Sequence, residues 1–370
     1  MKVLLVSLHF VEYAIELAKA LSTNNTVHLI LSKPRVSETV GTDLDRLLEG
    51  KVSYTLLSKY SLKNPKILSN LFIIIKKLLK FKPDVIHHQE SRDSSNFFVL
   101  FFSIFIPTVG TVHDVNFHPG SKVKYYRLIV ILKKFIITYL YRKIIVHGNA
   151  LKNALTESVK RAPEDISVVP HGCLFSFQAN ALDNAKKIEE RYSVLFFGRM
   201  LEYKGLQYLI EAEPIISQSI PSFKLIVAGS GEDLTRNKHL MENNPHFEVH
   251  DRYIANDEVA DFFNRTAVLV LPYIEASQSG IIATAFAFGK PVVTTDVGSL
   301  AEVVEDRKTG LLIPPLNTLE LANAIIHLLG NEELRAKMGK EALKEAHTTL
   351  SWEHIAGLTY IIYQDTINAD

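Results

Sequence analysis

Residues 193–216 read SVLFFGRMLEYKGLQYLIEAEPII, and this stretch decides the predicted fold. Its first five residues form a largely apolar run typical of a strand buried on both faces of a sheet. After a glycine-bounded loop, apolar residues recur near helical spacing over Leu206–Ile216, which predicts a helix. A buried strand, a short loop and a helix form the repeating unit of α/β proteins with parallel sheets.

The same alternation recurs on both sides of this stretch. It predicts strands at Lys2–Ser7, Thr26–Leu31, Asp84–His87, Thr108–Val112, Ile144–His147, Phe223–Ala228, Phe247–His250, Val268–Pro272 and Pro291–Thr295. It predicts further helices at Val11–Leu21, Asp257–Asn264, Ile281–Phe288, Leu319–Leu329 and Glu332–Glu345. The chain is therefore expected to form two doubly wound domains.

The length of 370 residues also favours two domains, at roughly 150 residues each. We predict a first domain over 1–175, a polar linker over 176–191 that lacks periodicity, and a second domain over 192–351. The last helix, 352–370, is expected to pack back on the first domain, because the second domain already has enough helices.

The net charge of +1 excludes a uniformly basic nucleic-acid-binding protein but hides an asymmetry. Residues 1–173 hold 24 Lys and Arg against 13 Asp and Glu, whereas residues 174–370 hold 17 against 27. The two halves are therefore expected to meet different partners. The single cysteine, Cys173, excludes a disulfide framework and fits a reducing compartment.

Two apolar segments resemble export or membrane signals in hydrophobicity alone. Met1–Phe10 is not expected to be a signal peptide, because Glu12 and Glu16 interrupt the apolar run. The longest uncharged stretch is Ser94–Val112, which Pro107 and Gly110 interrupt. Its apolar part, Phe97–Ile106, is too short for a hydrocarbon core of roughly 30 Å. We predict a buried helix followed by a strand rather than a membrane span.

Cationic side chains follow the strand Ser193–Phe197, at the sheet edge where doubly wound domains bind ligands. Arg199 offers a planar fork and Lys204 a mobile charge, which together suit phosphate oxygens. The alternative is that both are solvated surface cations.

The loop at residues 275–280, EASQSG, opens the next predicted helix. Its Ser279-Gly280 pair would present free backbone N–H groups and the positive helix end to a diphosphate. Glu275 would then accept hydrogen bonds from sugar hydroxyls. The alternative makes Ser277 and Ser279 helix caps and Glu275 a surface charge.

Three motifs carry a family resemblance: GRMLEYKGL at 198–206, the EASQSG loop, and GKPVVTTDVGSLAEVV at 289–304. Together they resemble the retaining glycosyltransferases of family 4, which have the GT-B fold of two Rossmann-like domains facing a cleft. TGLLIPPLNTLELANAI at 309–325 and LSWEHIA at 350–356 fit the same pattern. The resemblance covers nearly the whole chain and is strongest over 194–315.

The resemblance implies roles for second-domain residues. Arg199, Lys204 and the backbone amides of Ser279, Gly280 and Ile281 would hold the donor diphosphate, with Glu275 on the donor sugar. The segment Arg252-Tyr253-Ile254 matches the place where family members grip the nucleobase. Thr284 stands where the family usually carries a second glutamate, which accepts from the ribose hydroxyls. A threonine offers only one short hydroxyl there.

The resemblance also marks histidines of the first domain. The His of the family's TVHD-like segment meets the donor sugar, so His113 is expected to be catalytic together with Glu275. Asp114, His118 of an HPG loop, and His147 are expected on the cleft side, with His9 facing the acceptor. His171 would mark the hinge. The alternatives are a core histidine at 113 or a metal site, for which no third well-spaced ligand is apparent. We therefore expect no metal and no cofactor, with cations taking a metal's place.

Two basic stretches lie in the first domain. Ile67–Lys82 carries four lysines and Ser121–Lys143 seven Lys and Arg, with no acidic residue in either. Such segments suit an anionic membrane surface. The alternative for each is a helix whose apolar side lies in the core and whose lysines lie in water. Nucleic acid is a competing polyanion, but no binding motif for it is present.

The sequence thus predicts a nucleotide-sugar glycosyltransferase in the cytoplasm, peripheral on the inner face of the cell membrane. It would transfer a sugar to an acceptor hydroxyl, on a lipid-linked saccharide in polysaccharide or glycolipid biosynthesis. Retention of anomeric configuration rests on the resemblance alone. The alternatives are a GT-B-like sugar-nucleotide epimerase and a non-catalytic binding or scaffold protein.

Overall fold

The computed structural model describes residues 1–40, 44–60, 64–91, 105–114, 126–173 and 189–369, with only the backbone at 126–130 and 132. The chain divides into two compact units, with the boundary between Pro170 and His171. The segment from Trp352 onward belongs to unit 1, together with the residues before the boundary. His171–Ser351 belong to unit 2.

Unit 1 is built on a parallel sheet that has seven strands within the described residues. The strands are β1 Lys2–Ser7, β2 Thr26–Ser32, β3 Ser53–Leu57, β4 Val85–Gln89, β5 Thr108–Thr111, β6 Lys143–Val146 and β7 Ile166–Val168. Their order is β3-β2-β1-β4-β5-β6-β7. The helices are α1 Val11–Leu21, α2 Lys33–Thr39, α3 Leu44–Leu47, α4 Ile67–Phe81, α5 Tyr126–Tyr139 and α6 Asn149–Ser158, with the C-terminal helix Trp352–Asn368. The strand order reverses beside β1, which marks a topological switch point.

The register of this sheet assigns each side chain to a face. Leu4 pairs with Ile86, and Gly110 pairs with Ile144. On that face Leu4 and Ile86 share a core cluster with α4, and Ile144 shares one with α5. Helices α4 and α5 therefore cover the same face of the sheet. The C-terminal helix contacts α1, β4 and β5, and its Tyr363 reaches His87 on the opposite face.

Unit 2 contains a second parallel sheet, with six strands among the described residues. They are β8 Ser193–Phe197, β9 Lys224–Gly229, β10 Phe247–Asp251, β11 Val268–Leu271, β12 Val292–Thr295 and β13 Gly310–Ile313, in the order β10-β9-β8-β11-β12-β13. The helices are α7 Leu206–Ser219, α8 Glu232–Asn237, α9 Asn256–Arg265, α10 Gly280–Ala287, α11 Leu300–Val303, α12 Thr318–Gly330 and α13 Glu332–His347. Short 3₁₀ turns lie at Glu202–Lys204 and Lys238–Leu240 in unit 2, and at Pro163–Asp165 in unit 1. Apolar core clusters cover both faces of this sheet.

The prediction of two doubly wound parallel sheets is confirmed, and each predicted strand lies within two residues of an observed one. The three strands that the sequence did not reveal are β3, β7 and β13, each at the edge of its sheet. β3 reads SYTLL and is mixed in polarity, whereas β7 and β13 read ISV and GLLI and are only three and four residues long. Runs this short do not distinguish a strand from a helix or a loop.

Some predictions fall outside the described residues. These are the buried helix predicted within Ser94–Pro107, apart from its last residues, and most of the predicted linker at 176–191. Among the residues that are described, no helix is long and apolar enough to cross a membrane.

Candidate functional site

The loop after β8 and the start of α10 meet in unit 2. A Cβ atom on Gly198 would lie 3.5 Å from Nζ of Lys204 and 3.8 Å from Cδ1 of Ile281. Lys204 is only 7% exposed, and its ammonium lies 5.3 Å from the ring centroid of Tyr273. An ammonium this close to an aromatic face gains a cation–π attraction. The structure thus brings together two of the residues predicted to bind a diphosphate.

A glycine sets the position of Lys204. Gly205 has φ of +73°, and a Cβ atom there would lie 2.0 Å from the carbonyl oxygen of Pro272. Only glycine allows the Glu202–Lys204 turn to approach the end of β11 this closely. The amino group of Lys204 is therefore fixed at the carboxyl end of the sheet, where ligands of doubly wound domains bind. Arg199 lies exposed in the same loop.

The N-terminus of α10 has the geometry expected of an anion site. Ser279 is the N-cap in extended conformation, and its side chain makes no capping hydrogen bond. The interpretation of Ser279 as a side-chain cap is therefore not supported. The first amides of a helix carry the positive end of its dipole, so Ser279, Gly280 and Ile281 can present N–H groups to phosphate oxygens.

Thr284 lies buried one turn into the same helix. It is 1% exposed, and its hydroxyl donates to the carbonyl oxygen of Gly280 at 3.0 Å. A buried hydroxyl in a backbone bond one turn earlier on its own helix is poorly placed for a ribose. The side chain of Thr284 is therefore buried, and its nucleoside contact stays a prediction.

The EASQSG loop lies on the turn after β12. Gly298 has φ of +55°, and a Cβ atom there would lie 1.7 Å from the carbonyl oxygen of Ala276. Ser299 donates its backbone N–H to the carbonyl of Ser277 at 3.3 Å. Two buried oxygens here, Oε1 of Gln278 and Oγ of Ser299, have no hydrogen-bond partner among the described residues. Buried polar atoms of this kind usually bond a ligand or water, and sequence reasoning had singled out neither residue. Glu275, ahead of them, is exposed.

The three residues predicted to bind the nucleobase, Arg252-Tyr253-Ile254, differ in their contacts and exposure. The guanidinium of Arg252 donates to both carboxylate oxygens of Glu258, at 2.7 and 2.5 Å. This bidentate pair raises the pKa of Arg252 and engages its side chain within unit 2. Tyr253 is 60% exposed, whereas Ile254 is buried. Arg252 and Tyr253 are therefore both accessible, with the guanidinium of Arg252 engaged by Glu258.

In unit 1, His113 and His147 form a hydrogen-bonded pair. Nε2 of His147 lies 3.1 Å from Nδ1 of His113, and Nδ1 of His147 donates to the carbonyl oxygen of Val169 at 2.9 Å. Nε2 of His113 lies 2.7 Å from Oε1 of Gln89. The ring of Phe10 stacks on His113 with centroids 3.7 Å apart. His113 is 1% exposed, so the structure places this predicted catalytic residue inside a polar network.

The network extends through β4 and β5 to the C-terminal helix. Nε2 of His87 bonds Oγ1 of Thr111 at 2.7 Å, and its Nδ1 bonds the hydroxyl of Tyr363 at 2.5 Å. Burial lowers the pKa of His87 to about 3, so its ring stays neutral. Residues 87, 89, 111 and 113 share one parity, which places them on one face of the sheet. Sequence reasoning missed Gln89, whose position beside His113 depends on strand pairing.

The other cleft-side residues predicted in unit 1 are more scattered. Lys133 donates to the backbone carbonyl of Asp114 and pairs with Glu90 at 2.7 Å. Burial raises the pKa of Glu90 in spite of this pairing. His9 is exposed beside Phe10, and His118 lies outside the described residues. Within the described part of the chain, no three metal-ligating side chains cluster together.

Comparison with protein families gives two matches that together cover most of the chain. The model described as Glycosyltransferase Family 4 matches residues 11–173, and the model described as Glycosyl transferases group 1 matches residues 191–331.

Curated relatives carry related names. An uncharacterized glycosyltransferase of Methanocaldococcus jannaschii is 28% identical over 244 residues, 62% of each chain. A D-inositol 3-phosphate glycosyltransferase of Paenarthrobacter aurescens is 28% identical, over 48% of this chain and 45% of its own. A capsular polysaccharide biosynthesis glycosyltransferase of Staphylococcus aureus is 26% identical, over 67% and 68%. The chain thus spans less than two thirds of the length of the first of these relatives.

Solved structures match over the full length at low identity. Sucrose-phosphate synthase from Thermosynechococcus elongatus gives a TM-score of 0.76 at 19% identity, covering all of both chains. Anabaena HepE in complex with UDP and glucose gives 0.71 at 18%, covering 99% of this chain and all of that one. A putative UDP-N-acetylglucosamine 2-epimerase from Listeria monocytogenes gives 0.65 at 14%, covering 100% and 97%. These likenesses show the GT-B fold.

Proposed function

Since the chain belongs to the GT-B glycosyltransferases, with its two halves matching family 4 and group 1, we propose that it transfers a glycosyl unit from a nucleotide sugar to an acceptor hydroxyl. The observation that carries the proposal is the approach of Lys204 and Ile281 to Gly198, at the carboxyl end of the unit 2 sheet. A buried ammonium beside a helix N-terminus is suited to a diphosphate.

The proposed chemistry is electrostatic. When the bond from the anomeric carbon to the diphosphate breaks, negative charge grows on the leaving oxygen. Lys204, Arg199 and the first amides of α10 would stabilise that charge more strongly than they stabilise the intact donor. In this proposal the fixed cations do the work of a metal ion, and no cofactor takes part.

The sugar would be held by groups near the same loop. Glu275, exposed ahead of α10, would accept hydrogen bonds from donor-sugar hydroxyls. The unpartnered oxygens of Gln278 and Ser299 add two acceptors that a sugar hydroxyl suits. The catalytic role of His113 is proposed from the family resemblance. Retention of anomeric configuration is proposed on the same basis.

Lys204→Ala and Arg199→Ala test the donor site. We expect transfer from a nucleotide sugar to fall about 100-fold for Lys204→Ala, because the developing charge loses its nearest cation. Arg199→Ala is expected to lower transfer as well. Lys308→Ala is the matched control, since this lysine pairs with Glu305 on the surface. The measurement is nucleoside diphosphate release across a panel of sugar nucleotides. Unchanged release in both variants would refute the assignment.

The same assay separates the alternative activities. A transferase releases nucleoside diphosphate and a transferred or hydrolysed sugar. An epimerase would interconvert two sugar nucleotides with no glycosylated product. This alternative is considered because the Listeria protein shares the fold. A scaffold protein would bind a sugar nucleotide without turnover.

An exposed apolar stripe supports membrane contact by unit 1. On α4, Leu68, Phe72 and Leu79 are 59, 67 and 70% exposed, next to exposed Lys76 and Lys80. This stripe lies opposite the buried residues of the same helix. Helix α4 therefore has apolar side chains on its exposed side as well as in the core. The alternative in which only lysines face the water does not describe it.

Helix α5 repeats the pattern on the same face of the sheet. Ile131, Phe135 and Tyr139, spaced four residues apart, are 65, 51 and 69% exposed. Apolar side chains bordered by lysines suit the boundary between anionic headgroups and acyl chains. We propose that this face binds the cytoplasmic membrane surface and reaches a lipid-linked acceptor there.

Vesicle co-sedimentation tests the membrane proposal. The chain is expected to bind vesicles of phosphatidylcholine with phosphatidylglycerol and not pure phosphatidylcholine. The pair Leu68→Ser and Leu79→Ser should weaken binding about tenfold or more, because each leucine loses its burial in lipid. Leu319→Ser, 57% exposed in unit 2, is the matched control. Equal binding to both lipids, or to neither, would contradict the proposal.

A further inference from the structure

We propose that Gln89 is a positioning residue that holds a hydrogen on Nε2 of His113. The His113–His147 pair then carries three ring hydrogens and one positive charge. The inference rests on the proposed transferase function for its catalytic meaning. The geometry that carries it lies entirely within unit 1.

The imidazole of His113 is held on four sides. Its two nitrogens meet Gln89 at 2.7 Å and His147 at 3.1 Å. The ring of Phe10 stacks on it, and the edge of Tyr13 meets it with centroids 5.4 Å apart. A ring fixed in this way has one orientation, as a group that acts on a reacting centre requires.

The acceptors at the two ends of the pair determine its hydrogens. The carbonyl oxygen of Val169 only accepts, so Nδ1 of His147 carries a hydrogen. Oε1 of Gln89 only accepts, so Nε2 of His113 carries one as well. In this proposal one further hydrogen lies between the two facing nitrogens, which are 3.1 Å apart. Three ring hydrogens on two imidazoles amount to one positive charge.

The contacts at the far end of Gln89 suit its amide nitrogen. Nε2 of Gln89 lies 3.2 Å from Nε2 of His87 and 3.4 Å from Oγ1 of Thr111. Because burial keeps His87 neutral, its Nε2 can accept from the amide N–H while its Nδ1–H donates to Tyr363. This arrangement leaves Oε1 of Gln89 facing His113.

The Tyr13, Tyr363 and Glu90 side chains do not neutralise the charge on the histidine pair. Burial raises the pKa of Tyr13 and of Tyr363, which therefore stay neutral. Glu90, at the end of β4, is paired with Lys133 from α5, whose amino group also holds the carbonyl of Asp114. The charge on the pair can therefore attract an anionic group at the carboxyl edge of the unit 1 sheet.

Ring-nitrogen NMR on histidine-labelled protein tests the hydrogen directly. The signals are assigned with His113→Asn and His147→Asn, and three chains are compared: wild type, Gln89→Glu and Gln89→Met. Nε2 of His113 is expected to be protonated in the wild type and in Gln89→Glu, which keeps an oxygen acceptor. It should lose its hydrogen in Gln89→Met, which is similar in volume but has no acceptor. A bare Nε2 in the wild type, or an unchanged signal in Gln89→Met, overturns the proposal.

Kinetics test whether that hydrogen matters. We expect kcat to fall about tenfold in Gln89→Met and to be largely retained in Gln89→Glu, with UDP affinity unchanged in both. Gln364→Met, exposed on the C-terminal helix, is the matched control. Equal losses in the Glu and Met variants would indicate a packing role and overturn the positioning role. If the wild type turns over no sugar nucleotide, the proposed function fails, while the NMR result still decides the hydrogen.

Discussion

Gly110 shows how one missing side chain shapes unit 1. A Cβ atom there would lie 2.2 Å from two ring carbons of Tyr141. Tyr141 is 4% exposed, and its hydroxyl bonds Nδ1 of His88 at 2.5 Å. The glycine is therefore needed for close approach of the ring to β5, which lets a tyrosine reach the neighbouring strand.

Gly110→Ala is expected to destabilise the protein by about 1–3 kcal/mol, because the added methyl overpacks a buried ring. Urea unfolding measures the change. Gly357→Ala is the matched control: nothing lies within 4 Å of its Cβ position in the C-terminal helix, so it should stabilise by about 0.5–1 kcal/mol. A neutral Gly110→Ala would show that Tyr141 can move aside.

The sequence identified some site residues but not their neighbours. Arg199 and Lys204 are visible because they follow an apolar strand, which is a local pattern. Gln89 follows a strand too, but nothing local relates it to His113, 24 positions later. Thr284 was matched to a contact by position in a motif, whereas the helix turns its hydroxyl inward.

At the scale of elements, the C-terminal helix joins unit 1 through aromatic contacts. Trp352 meets the ring of Tyr13 edge-on with centroids 4.9 Å apart, and Tyr363 is fully buried against His87. The helix is thus part of the core of unit 1, although more than 180 residues separate it from that unit in sequence.

Trp352→Ala should therefore destabilise unit 1 by about 3–5 kcal/mol, since a large buried ring is removed. Hydrogen exchange read by mass spectrometry locates the effect. We expect faster exchange in α1 and β4 and little change in β8 to β13. Ile361→Ala, 54% exposed on the same helix, serves as the control. Loss of protection confined to unit 2 would contradict this placement.

At the scale of the whole molecule, both units hold histidines with a lowered pKa. Burial lowers the pKa of His87 to about 3 and of His28 to about 4 in unit 1. It lowers the pKa of His171 to about 4 in unit 2, where the ring packs on Gly280. Each ring binds a proton more weakly in the folded protein than at its ordinary pKa of 6.5.

Stability should therefore fall on acidification. Below pH 6.5 these histidines become protonated in the unfolded chain but stay neutral in the folded chain. The free energy of unfolding therefore decreases as the pH drops toward about 3. Thermal unfolding between pH 7.5 and 4 measures this slope. His28→Gln should reduce the slope, while His239→Gln, exposed in unit 2, should leave it unchanged. Equal slopes in all three chains would refute the assignment to His28.

The sequence by itself determined the two parallel sheets, the central strands and the loops that carry cationic and glycine motifs. Strands and helices produce local hydrophobic patterns, and the loops are recognised by the residues that directly follow a strand. It also determined the opposite charge of the two halves. Only the tertiary structure decided the edge strands β3, β7 and β13, the burial of Thr284, the exposed stripes on α4 and α5, and the contacts that join His113, His147 and Gln89. Those features depend on strand pairing and helix facing between residues far apart in sequence, which no local pattern encodes.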